Sequence, residues 1–253
     1  MNIRSQQLST PERHKAEGTQ QVFSLQSLEK ALQSGGCVIC SALVRFEWKS
    51  VHSFLYEGMM FPHVRRQFLD GGGFCAFHFE IAKQVEHESW QAGGIGLAIL
   101  CGDLIKRGML AISEVANGVG GMRSHQQQNS NPIDSHSPGS CMFCADKKEK
   151  ERTLLGVLEE AYGEQKFKVA LENSGLCLWH GQLAVAVWKQ RSARNWIAEI
   201  MGNRMQELAG DLEEFVRKHD HQRRAEAPGR EHNSVERAQQ LLLGTRMKVG
   251  SQT

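Results

Sequence analysis

The chain has 253 residues, 40% of them hydrophobic and 23% charged, with a formal net charge of +2. That length can bury a real core in one large domain or two small ones, the composition is that of a globular chain rather than a disordered one, and so small a net charge does not by itself argue for nucleic acid. The polar start, MNIRSQQLSTPERHKAEGTQQ, has no apolar secretory core, and the longest apolar stretch, GGIGLAILCGDLI at 93–105, carries an aspartate and is too short for a bilayer. The expectation is a cytoplasmic protein without a membrane association. Thiols stay reduced in that compartment, so seven cysteines point to metal or redox chemistry rather than to disulfides.

Taken in order, residues 1–22 read as a disordered tail. A helix is expected from Ser24, with Leu25, Leu28 and Leu32 on one face, ending at Gly35–Gly36. CVIC at 37–40 opens a second, carrying Leu43, Phe46, Val51, Phe54 and Leu55. GFCAFH at 73–78 starts another, and a long one follows at about 95–116 with Leu97, Leu100, Leu104, Ala111 and Val115 in register. Residues 118–140 are Gly, Ser, Gln, Asn and Pro with almost nothing to bury, and read as a flexible linker. The pattern then restarts: CMFC at 141–144, a helix through Leu154, Val157, Leu158 and Ala161, GLCLWH at 175–180, and a long helix with Ile197, Met201, Met205, Leu208, Leu212 and Phe215. Residues 221–253 form a basic tail with a short helix. Five prolines and few β-branched runs leave helical periodicity dominant, so the fold class is all-α.

The two halves repeat each other. Cys37 to Cys141 and Cys40 to Cys144 are both 104 positions apart; Cys75 to Cys177 and His78 to His180 are both 102. Each unit, 23–117 and 141–220, reads CxxC, helix, Gly, CxxH, helix. On a helix, Cys-x-x-His sets its side chains at i and i+3 on one face. Joined to a CxxC, it makes the Cys3His set of a closed tetrahedral zinc site. Gly73 and Gly175 suit a tight turn into each CxxH. Cys75, His78, Ala82 and Val85 share offsets with Cys177, His180, Ala184 and Val187, which puts the ligands at the head of an apolar stripe. The expected architecture is two tandem helical-hairpin units packed into one body. Each is stapled by one metal: Cys37, Cys40, Cys75 and His78 in the first, Cys141, Cys144, Cys177 and His180 in the second.

Zinc leads for both sites, and an iron–sulfur cluster, in which His can replace Cys, is the competitor. A dithiol redox reading of CVIC and CMFC leaves both CxxH motifs unused. Cys101, among Leu97, Leu100 and Leu104, reads as a small buried hydrophobe, His52 and His63 as surface or packing residues, and Trp179, in the place of Phe77, as core packing that could shield the sulfurs. No serine elbow, P-loop, HExxH or GxGxxG after a strand is present, so catalysis is not expected. Residues 217–253 hold eight Lys/Arg against four Asp/Glu, which keeps a nucleic-acid contact as a further alternative.

With these motifs in order, CxxC, GFCxxH, CxxC and GLCxxH, and with the close EEFVRKHDHQRRAEAPGREHNSVERAQQLLLG at 213–244, the chain resembles an uncharacterised bacterial family over about 24–244. Its members are sometimes labelled as ABC transporter substrate-binding proteins. The resemblance implies that Cys37, Cys40, Cys75, His78, Cys141, Cys144, Cys177 and His180 are the family's Cys/His positions; it implies no established activity. The expected role is a non-catalytic interaction or regulatory module whose partner is another protein.

Overall fold

The structure, a computed structural model, describes residues 10–89, 94–116, 141–220 and 226–244. Among them there is no strand, and the all-α class holds. In chain order the helices are α1 (Thr10–Leu32), α2 (Val38–Tyr56), α3 (Pro62–Asp70), α4 (Ala76–Ser89), α5 (Ile95–Ala116), α6 (Met142–Ala161), α7 (Gln165–Ser174), α8 (Leu178–Val187), α9 (Arg191–Lys218) and α10 (Ser234–Leu243). Short 3₁₀ turns occupy Gly58–Met60 and Arg230–Asn233.

Several expectations change. Helix α1 begins at Thr10 rather than Ser24, so the tail expected over 1–22 is helical in its second half. The linker expected over 118–140 lies outside the described residues. Helices α3 and α7 were not foreseen; Pro62 at the first turn of α3 pre-sets the helical φ there. Val187 ends α8 half-exposed, and Trp188 behind it takes the buried place, with its indole N–H donated to the Leu155 carbonyl at 2.9 Å.

The chain forms two compact units, and they are not the sequential halves. Of the described residues, unit 1 takes 10–44, 150–220 and 226–244, and unit 2 takes 45–89, 94–116 and 141–149. Helices α2 and α6 therefore each begin in one unit and end in the other. The core of unit 1 gathers Leu28 and Ile39 with Leu154, Leu155, Leu158, Phe167, Leu171, Trp188, Ile197 and Met201. In unit 2 the core holds Val51, Leu55, Ile81, Val85, Leu97 and Leu100 around an aromatic group of Phe54, Phe68, Phe74 and Phe143, with ring centroids 4.8–6.0 Å apart. Such spacings are those of favourable tilted and edge-on ring pairs.

Buried carboxylates tie helix starts down. In unit 2, Glu86 accepts the Leu97 backbone N–H at 2.7 Å in the first turn of α5. In unit 1, Glu159 accepts the N–H groups of Lys189 and Gln190 just ahead of α9. A carboxylate there satisfies orphan donors and faces the positive end of the helix dipole.

Candidate metal centres

All eight expected residues come together in two groups of four, but the grouping is crossed. Cys37, Cys40, Cys177 and His180 meet in unit 1; Cys75, His78, Cys141 and Cys144 meet in unit 2. The expectation that each sequential repeat closes its own site is thereby corrected. The CxxC of each half joins the CxxH of the other. Helix length supplies the reason. The 17 residues from Cys40 to Tyr56 rise about 25 Å along one helix, which carries the chain away from Cys37 and Cys40 before the first CxxH is reached.

Each motif begins a helix. Cys37, Cys75, Cys141 and Cys177 stand immediately before α2, α4, α6 and α8, and each one's carbonyl opens the helical ladder: it accepts from Ser41, Phe79, Ala145 and Gly181 respectively. Two helix N-termini therefore converge on each group. Their positive dipole ends and free N–H groups favour thiolate over thiol. Gly73 and Gly175 lead in with φ of +88° and +62°, the left-handed turn expected of them.

In the unit 1 group, His180 Nδ1 lies 3.4, 3.2 and 3.1 Å from the sulfurs of Cys37, Cys40 and Cys177, and Cys40 Sγ is 3.6 Å from Cys177 Sγ. In the unit 2 group, His78 Nδ1 lies 3.2, 3.7 and 3.5 Å from Cys75, Cys141 and Cys144, and Cys75 Sγ is 3.6 Å from Cys144 Sγ. A tetrahedral zinc with bonds of about 2.3 Å to sulfur and about 2.0 Å to nitrogen sets donors about 3.5–3.8 Å apart. All donor atoms of each group lie within 4.8 Å of one another. The residues therefore fit a single bound metal ion in each group, and the two buried Cys3His groups mark metal binding as the chemistry of these sites.

Two carboxylates complete the groups, and sequence reasoning missed them. His180 Nε2 is 2.9 Å from Glu151 Oε1, and His78 Nε2 is 3.3 Å from buried Glu47 Oε1. Each imidazole thus faces sulfur with one nitrogen and carboxylate with the other, the arrangement that orients a metal-bound histidine and raises its basicity. Glu47 and Glu151 each stand seven residues after their CxxC and are 104 positions apart. The repeat offset that matched the cysteines would have found them. Lys147 also reaches Glu47, at 3.0 Å, and Trp179 donates its indole N–H to Glu151 at 3.1 Å.

Burial alone would push the His78 imidazole down, but the Cys141 sulfur and Glu47 outweigh it and push it up to about 10. His180 is pushed up to about 11, again against burial, by Cys177, Cys40 and Glu151. The Cys141 thiol, raised by burial, is pulled down to about 6 by its contact with His78. The thiols do not shift alike: burial pushes the Cys37 thiol well up, and burial together with the Cys75 sulfur pushes the Cys144 thiol up to about 12.

The groups differ in cover. All four residues of the unit 1 group are buried, whereas Cys75 and Cys144 of the unit 2 group are partly exposed. Gly244, just past α10, explains part of this. Its φ is +69°, and a Cβ built there would lie 2.5 Å from Cys40 Sγ and 3.2 Å from Cys177 Sγ. The backbone itself closes over the sulfurs.

Of the residues weighed lower, His63 is exposed and His52 stacks on Tyr56, while Cys101 is partly buried in α5; none joins either group. Trp179 is exposed rather than packed in the core. No helix among the described residues is long and apolar enough to cross a membrane. No curated protein and no solved structure matches the chain. A family model described as a family of unknown function, DUF6062, matches residues 19–248, and the chain belongs to that family.

Proposed function

We propose that the protein holds two zinc ions, one per unit, as structural staples, and acts as a non-catalytic interaction or regulatory module in the cytoplasm. One observation carries the zinc reading: in both groups a histidine presents Nδ1 to three sulfurs and Nε2 to a carboxylate, with every donor within 4.8 Å of the others. That spacing supports one ion per group. An iron–sulfur cluster spreads its terminal ligands over more than one iron and needs a wider frame. With four protein donors the coordination is closed, so no position is left for a substrate or a reactive water.

Among the described residues of the C-terminal stretch, cations pack against carboxylates. Lys218 pairs with Glu231 at 2.8 Å, and Arg230 and Arg237 pair with Asp211 at 3.0 and 2.7 Å. These three cations are engaged with carboxylates of the same unit and lend no support to the nucleic-acid alternative.

The test is anaerobic purification followed by elemental analysis, sulfide assay and a visible spectrum on one sample. Two zinc per chain and a colourless solution are expected. Iron with inorganic sulfide would replace the zinc reading with a redox one. A metal-free, folded protein would refute both.

A further inference from the structure

The two groups set equivalent sulfurs at the same separation and cover them differently. In unit 1, Cys40 Sγ is 3.6 Å from Cys177 Sγ; in unit 2, Cys144 Sγ is 3.6 Å from Cys75 Sγ. The repeat offsets of 104 and 102 make these the same pair. Each pair joins the second cysteine of a CxxC to the cysteine of a CxxH, and so links the starts of two helices, α2 with α8 and α6 with α4. In unit 1 both cysteines are buried and the Gly244 backbone lies against them: a Cβ there would meet Cys40 Sγ at 2.5 Å and Cys177 Sγ at 3.2 Å. In unit 2 Cys75 and Cys144 are both partly exposed, whereas Cys141 and His78 are only 2% and 1% exposed.

Cover and spacing together single out two of the four donors of unit 2. A cysteine that ligates a metal is held as thiolate, and an accessible thiolate is the form that oxidants attack. A disulfide sets its sulfurs about 2.05 Å apart, so the Cys75 and Cys144 sulfurs have about 1.5 Å to close. Burial shields Cys141 from the same attack, and burial beneath Gly244 shields the equivalent pair in unit 1.

We propose that unit 2 is a hydroperoxide-responsive switch: Cys75 and Cys144 are oxidised to a disulfide and the zinc of unit 2 is released, while the zinc of unit 1 is retained. The switch rests on the zinc reading above. The thiolate of one cysteine attacks the terminal oxygen of a hydroperoxide, ROOH. The O–O bond breaks, RO⁻ leaves and takes a proton from solvent, and the cysteine becomes a sulfenic acid. The second thiolate attacks that sulfur, the S–S bond forms, and hydroxide leaves and is protonated to water. Two electrons pass from the two sulfurs to the peroxide. Cys141 and His78 remain, two donors where a closed zinc site takes four. The disulfide ties the same helix starts, α4 and α6, that the metal tied, so thiol–disulfide exchange with a dithiol can rebuild the site.

The test treats the full-length chain, loaded with zinc, with hydrogen peroxide. Zinc release is read with a chromophoric chelator against an unoxidised blank, free thiols are counted, and linked peptides are mapped by mass spectrometry. One of two zinc ions is released as two thiols are lost, and the linked peptides are those of Cys75 and Cys144. A dithiol with added zinc restores both ions. Cys101→Ala, which removes the third partly exposed cysteine, responds as the wild type does. A chain that holds two zinc and releases neither, or both together, overturns the switch. So does release of one ion with a different cysteine pair linked, with no link at all, or without recovery in the dithiol. A chain purified without zinc refutes the reading beneath the switch before any peroxide is added.

Discussion

His180 lies with Nε2 2.9 Å from the Glu151 carboxylate and Nδ1 3.1 Å from Cys177 Sγ. Glu151 stands on the helix that opens with Cys141 and Cys144, whose sulfurs belong to the other group. Each CxxC helix thus gives its cysteines to one group and, seven residues later, a carboxylate to the histidine of the other.

Removing that carboxylate separates orientation from ligation. Glu151→Gln keeps the size and loses the charge, and weakens metal binding in the unit 1 group by about 10–100-fold while leaving the ligands in place. Glu47→Gln does the same in unit 2. Competition with a chromophoric chelator measures both; unchanged affinities in the two variants would show that the carboxylates are packing residues only.

Crossed ligation makes a stoichiometric prediction. Cys37→Ser/Cys177→Ser damages one group and retains about one metal per chain. Cys37→Ser/Cys75→Ser damages both and retains none. Grouping within each repeat predicts the opposite for this second variant, which would keep one ion. Elemental analysis of the two purified variants decides between them.

Gly244 is expected to be sensitive although it carries no side chain. An alanine there must adopt φ near +69°, which costs about 1–2 kcal/mol, and its Cβ meets Cys40 Sγ at 2.5 Å. Gly244→Ala should lower stability by about 2 kcal/mol or more and loosen the metal of unit 1 alone. Gly210→Ala is the control: it lies inside α9 with open space around it and should raise stability by about 0.5–1 kcal/mol. Thermal denaturation of both variants supplies the comparison.

Metal removal should proceed in two steps. Cys75 and Cys144 are partly exposed, while the unit 1 sulfurs are buried beneath the Gly244 backbone. A chelator or a thiol-directed oxidant should therefore strip unit 2 first. Followed by metal release and by alkylation mapping, the fast phase carries label on Cys75 and Cys144. Simultaneous labelling of Cys37 and Cys40 would refute the ordering.

The helical class, the α5 span at 95–116, the eight Cys/His positions and the glycine turns before each CxxH were legible because they rest on local rules: periodicity, i and i+3 spacing, and the sterics of positive φ. The sequence by itself determined which side chains serve as donors and which helix faces carry them. It did not determine how the four motifs pair. The repeat makes the two CxxC motifs chemically equivalent, and likewise the two CxxH motifs, so grouping within a half or across halves yields the same Cys3His set. Only the tertiary structure decided that question, because α2 and α6 run from one unit into the other and Cys40 meets Cys177, 137 residues away. The same non-local packing brings Glu47 and Glu151 to the histidines and lays Gly244 over the sulfurs, contacts between residues far apart along the chain that no local pattern encodes.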